Sequence, residues 1–370
     1  MTSSAHLVSL PPPCMPGDRV AVVSPSWAAP AYFPALHEQA MRRVREDLGL
    51  EPVEYPSTRM PSTPARRAAD LMAAFLDPSI TAILATIGGD DQLTVLPHLD
   101  AAVVQRNPKR FLGYSDNTNL LNWLWFHGIG AIHGGSTQVH LGPGPHPDPV
   151  HLSSLRAALF GGSSELRPLS ASWDHGISWQ LDQSLNDVPP TPDDDPGEAR
   201  WTWHGPPAPV RGRTWGGNLE VLQWVLGVGR HVLPSDAYAG CVLLLETSEE
   251  RPSASEVTRM MRVLGERGLL GAAAAVVVAR PQAAEVDDDP GPNARRHYRE
   301  AQREAALNQL QRYAPGIPGV VGVEFGHTRP QYLLPHGGYV TLDPTNNRIV
   351  AEFGAPGPLG TAQELSLIHI

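Results

Sequence analysis

The sequence predicts an α/β fold built on a parallel sheet, and two features of its first 130 or so residues carry that expectation. Short runs that are apolar throughout alternate with longer stretches of helical pattern, and the runs stop at Gly, Ser or Pro. Strands with no polar face must be covered on both sides, and the helices between them supply the cover. Arg19-Val-Ala-Val-Val-Ser reads as the first buried strand, ending in Ser24-Pro-Ser-Trp. Residues 35–48 read as an amphipathic helix, and 66–76 as another made of good helix formers. Thr81-Ala-Ile-Leu-Ala-Thr-Ile is the second strand, closing on Gly88-Gly89. Arg110-Phe-Leu-Gly-Tyr is the third, followed at once by a helical stretch over 117–126. In a sheet of this kind, ligands sit at the carboxyl ends of the strands.

At 370 residues the chain is long enough for two domains, taking about 100–200 residues for each. We assign 1–165 to a Rossmann- or flavodoxin-like parallel-sheet domain and 213–364 to a smaller, β-rich α/β domain. The second opens on Gly216-Gly-Asn and a helix over 219–226. It continues through the strand Cys241-Val-Leu-Leu-Leu, a helix over 253–265, the strand Ala274-Val-Val-Val-Ala and a helix over 298–313. Three Gly- and Pro-rich apolar segments near 319, 338 and 349 resemble a small β-rich domain. Between the two, 166–212 breaks into Pro, Asp, Gly and Trp, including Pro189-Pro-Thr-Pro-Asp-Asp-Asp-Pro-Gly, and reads as a substrate loop and linker. Its tryptophans, Trp173, Trp179, Trp201 and Trp203, either cover a ligand or pack on the base of the loop itself. The tail 365–370, Leu-Ser-Leu-Ile-His-Ile, is also what one reading frame of a sequencing-library transposon end encodes, so fold reasoning stops at 364.

Composition narrows the function classes. Hydrophobic residues make up 41% and charged residues 18%, which fits a globular protein and confines disorder to local segments. With 28 basic against 38 acidic residues the formal charge is −10, and no basic run follows a phosphate backbone, so nucleic acid is excluded as the expected partner. No apolar stretch approaches the roughly 20 residues that span a bilayer, and no charged region precedes an apolar core at the N-terminus. We expect no membrane partner and a cytoplasmic protein. Cys14 and Cys241 supply neither a disulfide framework nor a thiolate zinc site; a single bridge is formally open, but both read as reduced and structural. The 15 histidines form no tight metal-ligand spacing, so no metal is expected. Neither a phosphate loop nor a G-x-G-x-x-G opening a helix is present, which removes the main support for nucleotide hydrolysis and dinucleotide redox chemistry.

Chemistry concentrates in Phe111-Leu-Gly-Tyr-Ser-Asp-Asn-Thr-Asn-Leu. Ser115 sits where a strand turns directly into a helix, a context that lifts a nucleophilic hydroxyl above the sheet and aims the N–H of Asp116 and the helix terminus at a developing oxyanion. The same residues also read as a serine N-cap with an acid in the first turn. Gly88-Gly89 after a buried strand offers either a second oxyanion amide or a plain tight turn. A serine nucleophile needs a base and a group that orients it. His327, in Glu324-Phe-Gly-His-Thr-Arg-Pro, follows a short apolar strand and a glycine, although any single histidine can equally be a surface residue. Glu246 ends a very apolar strand and must find a partner, whether an arginine or a histidine.

Taken in order, these pieces resemble the serine peptidase family of LD-carboxypeptidases and microcin C immunity proteins. The ordered set is Ser-Pro-Ser, Thr-Ile-Gly-Gly, Gly-Tyr-Ser-Asp, Gly-Gly-Asn-Leu, an apolar strand ending in Glu, and Gly-His-Thr, over about residues 10–353. The resemblance implies a Ser-Glu-His triad at Ser115, Glu246 and His327, an oxyanion hole from Gly89 and Asp116, no cofactor, and a homodimer. It also implies a peptide or aminoacyl-nucleotide substrate, met by Gly88, Asn218, Trp179, Trp201 and Trp203. Two departures stand out. Glu246 and His327 are 81 residues apart, longer than is usual in the family because of an insert around Val286-Asp-Asp-Asp-Pro-Gly-Pro-Asn-Ala-Arg-Arg. The Trp-rich loop is also longer than LD-carboxypeptidases need, which favours the immunity branch. The function expected is therefore a serine hydrolase of amide or peptide-type bonds, acting on peptidyl- or aminoacyl-nucleotides. The alternatives are a murein LD-carboxypeptidase that releases D-Ala from tetrapeptides, and a non-catalytic binding protein on the same scaffold.

Overall fold

A computed structural model of the chain describes residues 6–174, 178–179, 185 and 201–355; the acidic run 189–197 and the tail 365–370 lie outside the described residues. In the first 134 residues the strands are β1 (Arg19–Val23), β2 (Glu51–Glu54), β3 (Ile80–Ala85), β4 (Arg110–Gly113) and β5 (Ala131–His133). Then come β6 (Ser163–Leu166), β7 (Thr202–His204), β8 (Val210–Asn218), β9 (Cys241–Glu246), β10 (Ala275–Ala279) and β11 (Gly319–Val323). The last are β12 (Leu334–His336), β13 (Tyr339–Asp343) and β14 (Arg348–Glu352). They form two sheets, ordered β12-β5-β4-β3-β1-β2 and β6-β14-β13-β8-β9-β10-β11-β7. Strands β1 to β5 pair in parallel, with β12 antiparallel beside β5. Strands β8 to β11 make the parallel centre of the second sheet, flanked by antiparallel β13 and β7.

The alternation of side chains along a strand explains why these runs are apolar throughout. Val20 and Val22 of β1 enter one buried cluster and Ala21 and Val23 another. Val242 and Leu244 of β9 likewise face away from Leu243 and Leu245. The cluster that takes Val22, Leu84 and Leu112 from the first sheet also takes Val242, Leu244 and Val277 from the second, so one apolar core joins the two sheets. Helices Pro34–Glu46, Pro64–Leu76 and Thr118–Phe126 cover the first sheet. Thr63 starts the second of these by accepting from the Arg66 N–H, with Pro64 at the first helical position. Ser253 and Glu256 form a capping box at the start of Ala254–Glu266.

Several elements differ from the sequence reading. The apolar segments near 319, 338 and 349 do not form a body of their own; they are β11, β13 and β14 of the eight-stranded sheet. β6 leaves the first domain's stretch to pair with β14, and β12 returns from the second to pair with β5. β8 begins at Val210 inside the segment read as linker, and Gly216-Gly217 lies within the strand rather than opening a domain. A Cβ on Gly217 would fall 2.5 Å from Thr118 Oγ1, so only glycine lets β8 lie against the start of the helix Thr118–Phe126. Cys14 and Cys241 are both buried and unbridged, and burial pushes their thiols up to about 12 and about 11. Among the described residues no helix is long and apolar enough to cross a membrane.

Candidate active site

The carboxyl ends of both parallel segments open onto one cleft, lined by Trp27 after β1, Gly88 and Gly89 after β3, and Tyr114 and Ser115 after β4. From the second sheet come Glu249 after β9, Glu285 and Asp287 after β10, and His327 and Arg329 after β11. This is where a parallel sheet places its ligands.

Ser115 stands at the tip of the turn between β4 and the helix Thr118–Phe126, with φ at +61°. A side chain in that backbone region costs about 1–3 kcal/mol and persists only where its surroundings over-determine it. Here the neighbouring Asp116 does the fixing. Its carboxylate accepts from the Ser26 hydroxyl at 2.5 Å, the Gln92 N–H at 2.8 Å and the Asn119 amide at 2.8 Å. Burial nevertheless pushes the Asp116 carboxyl above its ordinary range. Ser26 belongs to the Ser-Pro-Ser run, so that run holds the turn from the next strand but one. Gly88 backs directly onto the turn: a Cβ there would lie 2.9 Å from Ser115 Oγ and 3.2 Å from the Asp116 nitrogen. A Cβ on Gly89 would lie 2.1 Å from Ser26 Oγ. Gly88 thus lets main chain approach the Ser115 hydroxyl, and Gly89 lets it lie against Ser26, as no other residue could.

Glu246 ends β9, and its Oε2 lies 2.7 Å from Nδ1 of His327. Gly326 makes the approach possible, since a Cβ on it would stand 3.2 Å from that of Glu246. The Tyr114 ring, next to Ser115, packs 5.0 Å from the His327 ring. Burial opposes charge on His327, but the Glu246 and Glu249 carboxylates outweigh it and raise the imidazole to about 9. His133 Nε2 lies 3.9 Å from the other Glu246 oxygen, yet burial pushes His133 down to about 3, so it stands there neutral. Behind them Glu220 accepts from the Ser248 N–H at 2.8 Å and its hydroxyl at 2.9 Å, pinning the chain that follows β9. Burial and the charge of Glu246 raise Glu220 to about 7.

Of the residues singled out in the sequence, the cleft gathers Ser115, His327, Gly88, Gly89 and Trp179 along its walls, with Glu246 behind His327 and Asp116 behind Ser115. Asn218 sits beside Glu246 in the strand register, but its side-chain oxygen caps the helix Leu219–Val228 and its N–H goes to Thr118 Oγ1. Trp201 and Trp203 are not brought to the cleft. Trp201 is buried, with its indole N–H donated to Glu324 at 2.8 Å, and Trp203 donates to Asn347 Oδ1 from β7 at the far edge of the second sheet. Sequence reading missed Trp27 and Phe33, which line the cleft with Trp179; Phe33 meets Trp27 at 6.0 Å and Trp179 at 5.5 Å, edge to face in both cases. It also missed Glu249, whose Oε2 lies 3.1 Å from Nε2 of His327. The signal for Trp27 lay in Ser24-Pro-Ser-Trp itself; for Glu249 it was only a position three residues past the strand end. Among the described residues no group of three or more His, Cys, Asp or Glu could hold a metal ion.

Comparison with known proteins gives this cleft its context. The LD-carboxypeptidase N-terminal domain profile matches residues 20–134 and the LD-carboxypeptidase C-terminal domain profile matches 211–342. The microcin C7 self-immunity protein MccF of Escherichia coli is 27% identical over 287 residues, covering 76% of this chain and 77% of that protein. The murein tetrapeptide carboxypeptidase of Pseudomonas aeruginosa is 30% identical over 233 residues, covering 62% and 66%. Among solved structures, MccF in complex with aspartyl sulfamoyl adenosine superposes with a TM-score of 0.76 at 23% identity, over 93% of this chain and 98% of that one. An MccF-like protein from Streptococcus pneumoniae in complex with AMP gives 0.78 at 24%, over 91% and 99%. These structural likenesses bear on the fold; the two domain profiles, matched in order across most of the chain, place the protein in the LD-carboxypeptidase family as a carboxypeptidase-type hydrolase.

Proposed function

We propose that the protein is a serine hydrolase of amide-type bonds in which Ser115 attacks the carbonyl, His327 takes its proton and later protonates the leaving group, and Glu246 orients the imidazole. The observation that carries this reading is the 2.7 Å contact between Glu246 and Nδ1 of His327, on the same cleft as a serine held at a positive φ. Nδ1 bound to a carboxylate makes Nε2 the nitrogen that would take the Ser115 proton, which is the tautomer a general base needs. The amides of Gly89 and Asp116 stabilise the oxyanion, each donor being worth about 3–4 kcal/mol in such sites. The chemistry uses side chains and main-chain amides alone, so EDTA is expected to leave turnover unchanged. Loss of activity restored by one divalent ion would count against it.

We further propose aminoacyl- or peptidyl-nucleotides as substrates, with Trp179 stacking on the base beside Trp27 and Phe33. In support, solved relatives carry aspartyl sulfamoyl adenosine and AMP, and the aromatic rim is present here. Incubating the protein separately with an aminoacyl-sulfamoyl adenosine and a muropeptide tetrapeptide, with products followed by mass spectrometry, tests the choice. Cleavage of the tetrapeptide alone would assign it the murein role, to which the Pseudomonas aeruginosa relative points. Stacking on a base is worth about 1–3 kcal/mol, so Trp179→Ala is expected to raise KM for the nucleotide about 5- to 100-fold and change kcat much less. An unchanged KM would make Trp179 ordinary covering structure. A cytoplasmic homodimer is the setting we propose for this activity.

A further inference from the structure

The base stands in an unproductive contact. Glu249 places a carboxylate oxygen 3.1 Å from Nε2 of His327, the nitrogen that must receive the Ser115 proton. With Glu246 on Nδ1 and Glu249 on Nε2, the ring lies between two anions, and the arrangement favours imidazolium. A nitrogen that already carries a proton for Glu249 cannot accept one from Ser115. Glu249 must therefore leave before catalysis. Nothing prevents it: the side chain is 54% exposed, whereas that of His327 is 8% exposed.

What draws it away is written on the wall it belongs to. Glu285 and Asp287 line the same side of the cleft, supplied by the stretch that lengthens the chain between Glu246 and His327. Arg251 and Asp288 tie that stretch to the loop carrying Glu249. The other lining acid, Asp174, is buried and already paired with Arg280 at 3.1 Å and Arg299 at 2.8 Å. Arg329 also lines the cleft, but its guanidinium is turned to the Val139 carbonyl at 3.2 Å. We propose that Glu249, with Glu285 and Asp287 beside it, receives a protonated amine of the substrate, and that this cation takes Glu249 from His327, so that the imidazolium, left with Glu246 alone, gives its Nε2 proton to water and the base is freed. The proposal rests on the hydrolase reading above and names the substrate class: an acyl group bearing an ammonium, on its α-carbon or on its side chain. An ammonium close to a carboxylate makes a charge-assisted hydrogen bond. Recognition and activation of the base then become one event, since an uncharged acyl group leaves Glu249 where it is.

The test uses lysyl-, leucyl- and N-acetyl-leucyl-sulfamoyl adenosine, with affinity measured calorimetrically on the Ser115→Ala protein and turnover on the parent. An α-ammonium site makes the leucyl probe bind about tenfold or more tightly than its acetylated form, and a side-chain site makes the lysyl probe exceed the leucyl one by a similar factor. In Ser115→Ala/Glu249→Gln the preference falls to within about twofold, and in Ser115→Ala/Glu249→Asp, which keeps the charge, part of it is retained. The His327 imidazole, followed by NMR in the Ser115→Ala protein, titrates at lower pH once Glu249 is Gln, and the groups around it that titrate or carry charge are Glu246, Glu220, His133, Tyr114 and Arg329. Equal binding of the three probes, no binding of the lysyl probe, or a preference that survives Glu249→Gln overturns the proposal. Amine-dependent binding without turnover by the parent would instead sink the hydrolase reading and leave the amine site standing.

Discussion

Replacing Ser115 with alanine is expected to lower turnover by at least about a thousandfold while the protein folds as before, because loss of a triad nucleophile removes the covalent route and leaves only binding and oxyanion stabilisation. The fold half of that expectation comes from the surroundings of the hydroxyl. The turn is held by Asp116, Gln92, Ser26 and Asn119, none of which depends on Ser115 Oγ. Alanine inherits the same positive φ, so the strain is unchanged by the substitution. Thermal unfolding within a few degrees of the parent, together with a turnover number reduced to the limit of detection, is the expected pair of results. Activity above about 1% of the parent would remove Ser115 from the nucleophile's place.

The parts of the site that the sequence displayed are those made by local pattern. Ser115 announces itself because an apolar strand, a glycine and a helix meet there; Glu246 does so because a carboxylate ends a strand of five apolar residues. The same logic made β1, β3, β4, β9 and β10 legible, since each is buried on both faces and therefore apolar without alternation. β2 was not legible: Glu51-Pro-Val-Glu has a proline and two acids, which only an edge strand tolerates, and β2 is the edge of its sheet. β5 and β12 are three residues each, and they find one another across 200 residues of chain through packing that no local window contains. Trp201 shows the opposite failure. Its composition-based promise as a ligand platform was met instead by a buried carboxylate, Glu324, more than 100 positions away.

Charge is where sequence reading fell furthest short. Glu220 comes from the helix Leu219–Val228, Glu246 from the end of β9 and Glu249 from the turn after it, and only folding puts the first near the second and the third against His327. Glu249 and Glu250 are adjacent glutamates at a loop start, indistinguishable by pattern, yet one lines the cleft and meets the base. The insert after β10 read as a mere lengthening of the chain, whereas its first residues form a wall of the cleft.

The second large effect expected is that of Glu246→Gln, which should lower kcat by about 10³- to 10⁴-fold and move the acid limb of the pH profile to lower pH. The sign follows from what acts on His327. Burial alone would depress its pKa; the carboxylates of Glu246 and Glu249 favour the imidazolium and prevail, raising it to about 9. The base is therefore mostly protonated at neutral pH, and kcat/KM should rise as pH climbs toward that value. Glutamine keeps the shape of the side chain and removes its charge. The imidazolium loses the carboxylate in direct contact with it, so the acid limb falls toward the ordinary histidine range. More neutral imidazole becomes available near pH 7, but it is poorly oriented and gains no partner for the charge it acquires in the transition state, and that second loss dominates. The two effects separate cleanly in a profile taken from about pH 5 to 10 on parent and variant. A fall in kcat with the limb unmoved would mean that Glu246 supports the site by packing alone, and a limb that moved upward would contradict the electrostatic account of His327.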